Sequence, residues 1–152
     1  MTRVQLIILA SLGSVAVLAG AFTFQAFGYA PCHLCLLQRW PHAAAVVIGG
    51  VALALGWGLL SWLGAAAALT AAGLGLYHTG VERAWWQGPT TCTSGSIAGV
   101  DPKDLLNQIL AAPIVRCDEV AWQMLGLSMA SWNVIVSLAL AFIWVASARK
   151  TA

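Results

Sequence analysis

Charge is almost absent from this chain. Five acidic and seven basic residues make up 8% of its 152 residues, against roughly 25% in an ordinary soluble domain. Hydrophobic residues make up 61%. A soluble fold of this length could not hide that much apolar surface, so lipid is the expected solvent and one small membrane domain over 1–152 the expected organisation. No basic run points to nucleic acid, and no internal repeat is visible. All five acids (Glu82, Asp101, Asp104, Asp118 and Glu119) fall between residues 79 and 131. Cysteine is also scarce, with four residues: Cys32, Cys35, Cys92 and Cys117.

What is abundant is apolar sequence in long runs. A membrane-spanning helix needs about 20 such residues. Four runs qualify, over residues 4–26, 36–55, 62–77 and 132–148, the last two extended by their flanks. The expected fold is therefore an all-α integral membrane protein, a bundle of four transmembrane helices. The first span is too long for a signal peptide and lacks a small-residue cleavage site in the right place, so it is expected to be retained. Gly13, Ala16, Gly20, Gly73, Gly75 and the run Ala65–Ala68 allow close helix approach in lipid. Two aromatic belts are expected. One contains Tyr29, Trp40, Tyr77, Trp85, Trp86, Trp122 and Trp132; the other contains Trp57, Trp62 and Trp144.

The only sizeable extramembrane piece is the loop 79–131. Asp101-Pro102-Lys103-Asp104 reads as a helix start, with an N-cap, a first-turn proline and a first-turn acid. Leu105, Leu106, Ile109 and Leu110 follow on one face, so a short amphipathic helix is expected. It would lie on the membrane or pack on the bundle. Arg3 at one end and Arg149 with Lys150 at the other favour cytoplasmic termini, although Arg83, Lys103 and Arg116 in the opposite loop weaken that count. The cysteines decide the orientation, because disulfides persist outside the cytosol and every cysteine falls on the face opposite the termini.

Between Cys35 and Cys92 the chain crosses the membrane twice, so both cysteine pairs meet at one surface. Cys32-His-Leu-Cys35 opens a helix. Its first cysteine sits near unsatisfied backbone N–H groups and the positive end of the helix dipole, which favour a thiolate. Cys92 and Cys117 lie 25 apart in the one loop long enough to reach a partner protein. A zinc site would want a second closely spaced pair, and His33, His42 and His78 show no ligand spacing, so no metal is expected. Purely structural bridges would leave the Cys-x-x-Cys unexplained, since it constrains little chain. Arg39, four residues after Cys35, shares its helical face. It could stabilise the Cys35 thiolate and bind an acceptor oxygen, or simply snorkel to the headgroups. His33 could lower the Cys32 pKa or face water. His42 and His78 read as interfacial, and Trp85 and Trp86 as belt residues rather than a cofactor stack.

Three stretches carry a family resemblance: Pro31-Cys-His-Leu-Cys-Leu-Leu-Gln-Arg-Trp-Pro41, Tyr77-His-Thr-Gly-Val-Glu-Arg-Ala-Trp-Trp-Gln-Gly-Pro-Thr-Thr-Cys92, and Ala112-Pro-Ile-Val-Arg-Cys-Asp-Glu-Val-Ala-Trp122 continuing through Leu125–Met129 to Trp132-Asn133. Together they resemble the disulfide bond formation protein B (DsbB) family of bacterial inner membranes. The resemblance implies a protein-disulfide oxidoreductase with a periplasmic loop at 79–131 and both termini cytoplasmic. Cys92, paired with Cys117, would meet a periplasmic thioredoxin-like dithiol oxidase of the DsbA type. Cys32 and Cys35 would reoxidise that pair and pass electrons to a quinone, ubiquinone or menaquinone, with Cys35 beside it and Arg39 in contact with it. His33 inherits no role, because a histidine there is not a fixed family feature. Enzymes like vitamin K epoxide reductase share the helix and cysteine numbers, but in them the Cys-x-x-Cys follows the loop pair. Here it precedes it.

Overall fold

The computed structural model describes residues 1–90, 92, 110 and 115–150. Four long helices dominate: α1 (Arg3–Ala26), α2 (His33–Leu55), α3 (Leu60–Glu82) and α4 (Met129–Ala148). Even the shortest, with 20 residues, extends about 30 Å at 1.5 Å per residue, the thickness of a bilayer's hydrocarbon core. All four are apolar and long enough to cross a membrane. Three of them run past the apolar sequence. α2 begins at His33 rather than at 36, and α3 fills 60–82 rather than 62–77. α4 begins at Met129 rather than at 132. Residues 79–82 and 129–131, expected in the loop, are thus helical. The short helix expected from 101 to 113 lies outside the described residues apart from Leu110.

Local chemistry fixes the ends. Thr2 and Gln5 form a reciprocal capping box, with Gln5 N donating to Thr2 Oγ1 (3.2 Å) and Thr2 N to Gln5 Oε1 (2.9 Å). Gly56, at φ 68°, closes α2 in the left-handed conformation that favours glycine. Before α4, β1 (Gln123–Met124) pairs antiparallel with β2 (Leu127–Ser128), Gln123 opposite Ser128 and Met124 opposite Leu127. Leu125 and Gly126, at φ 54° and 76°, make the connecting turn, as a two-residue primed hairpin turn requires. Trp132 Nε1 donates to Met124 O (3.2 Å) and ties this hairpin to α4. Ser128 then caps α4 by accepting from Ser131 N (3.2 Å).

α3 lies between α2 and α4, and α1 packs on both α2 and α4. The contact side of α3 is small: Gly64, Ala65, Ala68, Ala71, Ala72 and Gly75 are buried. Lipid supplies no hydrophobic drive between helices, so close van der Waals approach has to hold the bundle. Into the space left by Gly64 goes Trp144. It is fully buried and does not join an interfacial belt as its position near the chain end suggested. A Cβ on Gly64 would stand 2.5 Å from Trp144 Cδ2, whereas one on Gly73 would meet nothing within 4 Å. Gly64→Ala should therefore lower stability by about 1–3 kcal/mol through overpacking, and Gly73→Ala should not. Thermal unfolding of both variants in the same detergent checks this. Equal midpoints would mean that Trp144 can move without cost.

Candidate functional site

The start of α2 is built around a sulfur. Cys32 is the N-cap, and its Sγ accepts from Cys35 N (3.2 Å). The first turn carries the thiol of Cys35 back to 2.8 Å from the Cys32 sulfur. Both are free thiols. Cys92 and Cys117 form a disulfide, and Cys117 N donates to Cys92 O (2.7 Å). Cys32, Cys92 and Cys117 are buried in one cluster with Leu34 and Val81, and Cys35 packs against its edge. The structure thus brings all four sequence-predicted cysteines together, as a dithiol and a disulfide. Hydrogen bonding from Cys35, and then from His78, holds the Cys32 thiol well below the ordinary thiol range against the opposing effect of burial.

His78 and His42 are the main revision to the sequence reading. Both were expected at the membrane interface, yet they are 3% and 1% exposed. His78 Nε2 lies 3.6 Å from Cys32 Sγ and 3.8 Å from Glu82 Oε1. Glu82 also accepts a hydrogen bond from Ser128. Cys32, Cys35 and His78 offer three donor atoms within 4.8 Å of one another, a set that could hold a metal ion. Spacing along the chain hides this group, because α3 packing, not sequence proximity, brings His78 to α2. At 2.8 Å, however, the two sulfurs face each other rather than a shared ion. His33 is exposed.

On the other side of Cys35 a cavity of about 360 Å³ opens among α1, α2 and α4, lined by Cys35, Gln38, Arg39, His42, Phe24 and Trp122 among others. Its walls are mostly apolar. Arg39 lies on this wall, but its donors cross to α1: Nη1 donates to Gln25 Oε1 (2.8 Å) and Nη2 to Ala21 O (3.4 Å), and the guanidinium carbon stands 4.7 Å from the Phe22 ring centroid. Among the described residues its hydrogen bonds thus run to α1. Its Nε is buried and has no hydrogen-bond partner among the described residues. Sequence reasoning missed Gln38 and Asn133, which join the cavity wall to His78 and His42. The available signal was their polarity inside otherwise apolar spans.

Trp86, expected as a belt residue, is 42% exposed. It stacks on Tyr77 (6.0 Å between centroids, 12° between planes) and donates from Nε1 to Tyr77 O (2.9 Å). Beyond Cys117 the chain is pinned by Arg116, whose Nε and Nη2 both donate to Asp118 (3.0 and 2.6 Å). That pairing lowers the Asp118 pKa.

A bundle of membrane-spanning helices holding a buried dithiol against a loop disulfide defines a membrane protein of dithiol–disulfide chemistry. Comparison with known proteins makes this more specific. The model of the family "Disulfide bond formation protein DsbB" matches residues 3–147. Disulfide bond formation protein B of Albidiferax ferrireducens is 30% identical over 159 residues, covering 92% of this chain and 87% of its own. Its namesakes in Acidovorax sp. (30% identical, 86% of this chain and 79% of its own) and Polaromonas sp. (27%, 91% and 86%) are similar over much the same extent. No solved structure matches the chain. The chain belongs to the disulfide bond formation protein DsbB family, as a multi-pass membrane disulfide oxidoreductase.

Proposed function

We propose that this chain reoxidises a periplasmic thioredoxin-like dithiol oxidase of the DsbA type and passes the electrons to a quinone. The observation that carries the reading is the position of the dithiol. Cys32 packs on the loop disulfide, and Cys35 lines the membrane cavity on the opposite side. On this reading, electrons entering at the loop leave through this pair.

The steps balance. The partner's thiolate attacks Cys92, the Cys92–Cys117 bond breaks, and resolution by the partner's second thiol leaves an oxidised partner and a reduced loop pair. The loop dithiol then reduces a Cys32–Cys35 disulfide through a second mixed disulfide. The product is a loop disulfide beside a helix dithiol, the combination of redox states described above. Reoxidation of Cys32 and Cys35 releases two electrons and two protons, which a quinone accepts when bound. The residues present fit such a group, because apolar walls suit its ring and the Arg39 side chain lines the cavity. Assaying quinone reduction with a reduced thioredoxin-like partner tests the reading. Partner oxidation without quinone consumption would reject it.

Arg39→Gln should weaken quinone use by about 1.5–3 kcal/mol, the worth of a hydrogen bond to a charged group, with folding nearly intact. Arg39→Lys should rescue only part of this, because the planar fork is lost. Steady-state kinetics at varied quinone measure it, and unchanged KM and kcat in Arg39→Gln would remove the residue from the site. The chemistry also requires an orientation, with both termini cytoplasmic and the cysteines periplasmic in the bacterial inner membrane. A membrane-impermeant thiol reagent, added to intact cells after reduction, should label Cys92. Labelling only after lysis would reverse the topology.

A further inference from the structure

Five side chains form a continuous hydrogen-bonded string through the bundle, and its direction can be assigned. Gln38 Nε2 lies 3.1 Å from the backbone carbonyl of Leu34. A carbonyl only accepts, so this end of the Gln38 amide is the NH2 group. The same nitrogen lies 2.9 Å from His78 Nδ1, which must therefore be the acceptor. Asn133 is fixed independently in the same way: its Nδ2 lies 3.3 Å from Ala71 O and 2.7 Å from Gln38 Oε1. Asn133 Oδ1 then faces His42 Nε2 at 2.9 Å, and Ser137 Oγ also donates to it (3.3 Å). His42 Nδ1 is left to accept from Ser14 Oγ at 3.5 Å. Two backbone carbonyls on different helices impose one polarity, and each side chain-to-side chain N–H in the string points toward Cys32.

We propose that Gln38 and Asn133 are positioning residues that hold His78 in the tautomer with its proton on Nε2, aimed at the Cys32 sulfur 3.6 Å away. The proposal rests on the redox reading and deepens it by naming what α3 presents to the Cys32 sulfur. A His78 protonated on Nδ1 would direct an N–H at the Gln38 NH2 group and present a lone pair to the sulfur. Both contacts are unfavourable, and relieving them by turning the amide would set Gln38 Oε1 against Leu34 O and Asn133 Nδ2 against an NH2 group. With Nε2 protonated and Nδ1 accepting from Gln38, neutral His78 donates to the Cys32 sulfur. When the reduced pair loses one proton, the one that remains is shared between two sulfurs 2.8 Å apart. Among the described residues, the titratable and charged groups around His78 are Cys32 and Cys35 at the start of α2, Arg39 and His42 across the shared cavity, and Glu82 one turn on along α3, while the loop reaches it through the Cys117 backbone. The facing helix α4 brings none.

The test needs no quinone, so its outcome is separate from that of the proposed function. Protein carrying 15N-labelled histidine, reduced and held in detergent, is examined by imidazole 15N resonance. His78 in the unsubstituted chain should show a protonated Nε2 and an unprotonated Nδ1 through neutral pH. Gln38→Leu should release the tautomer, and it should slow alkylation of Cys32 at mildly acidic pH by about tenfold, the equivalent of one pKa unit. Gln38→Glu places an acceptor-only carboxylate at Nδ1 and should give a doubly protonated His78. A His78 protonated on Nδ1 in the unsubstituted chain would overturn the proposal without any variant having to fold. So would a tautomer and alkylation profile that Gln38→Leu leaves unchanged.

Discussion

Cys35→Ser should abolish quinone reduction while leaving a single exchange between the loop disulfide and a reduced partner. The two halves of this outcome come from opposite sides of the helix dithiol. Cys35 is the sulfur that lines the cavity, and without it Cys32 has no neighbour with which to form a disulfide. Two-electron transfer to an acceptor then has no donor pair. The Cys92–Cys117 bond is untouched, so a reduced partner can still open it once. Serine keeps nearly the size of the side chain and can still donate to Cys32, which separates lost redox chemistry from lost packing. Quinone absorbance should stay flat, and thiol titration of the partner should show no more than one equivalent oxidised. Continued turnover would mean that electrons leave by a route other than Cys35.

Cys117→Ser should trap the partner. Exchange proceeds by attack on one sulfur of a disulfide, and a mixed disulfide persists when no nearby thiol resolves it. In the unsubstituted chain Cys117 sits against Cys92 within the same buried cluster as Cys32, so a mixed disulfide at Cys92 can be lost either back to Cys117 or forward to the partner's second thiol. With Cys117 gone, the Cys92 thiolate attacks the Cys32–Cys35 disulfide. A partner that keeps only its attacking thiol then displaces Cys32 from Cys92, leaving a Cys92–partner disulfide and a reduced Cys32/Cys35 pair. This adduct should accumulate to near completion on a non-reducing gel. Reductant should dissolve it. An adduct that instead maps to Cys32, in protein that keeps all four cysteines, would reverse the assigned direction of flow.

The architecture was legible because lipid makes hydropathy nearly sufficient. Four apolar runs became four helices, and the parity of their crossings put both cysteine pairs on one face before any packing was known. The Cys-x-x-Cys at a helix start was equally legible, since it depends on local geometry. Rotation of each helix about its axis was not. Hydropathy cannot say which polar residues turn inward, so His42, His78, Gln38 and Asn133 looked like interfacial or incidental groups until α3 and α4 were packed on α2. Trp144 went wrong for a related reason. Its burial depends on Gly64, on a different helix, leaving a space for the indole ring. For Arg39 the helical face was legible from its spacing to Cys35, but Gln25 and Ala21, which reach it from α1, were not.

The most direct measurement of the central claim follows quinone and partner thiols together as the purified protein turns over. With excess reduced thioredoxin-like partner, one quinone should be reduced for each partner disulfide formed, and no quinone should be consumed when the partner is oxidised or absent. Partner disulfide accumulating while quinone stays constant, or quinone reduced without partner oxidation, would contradict the account.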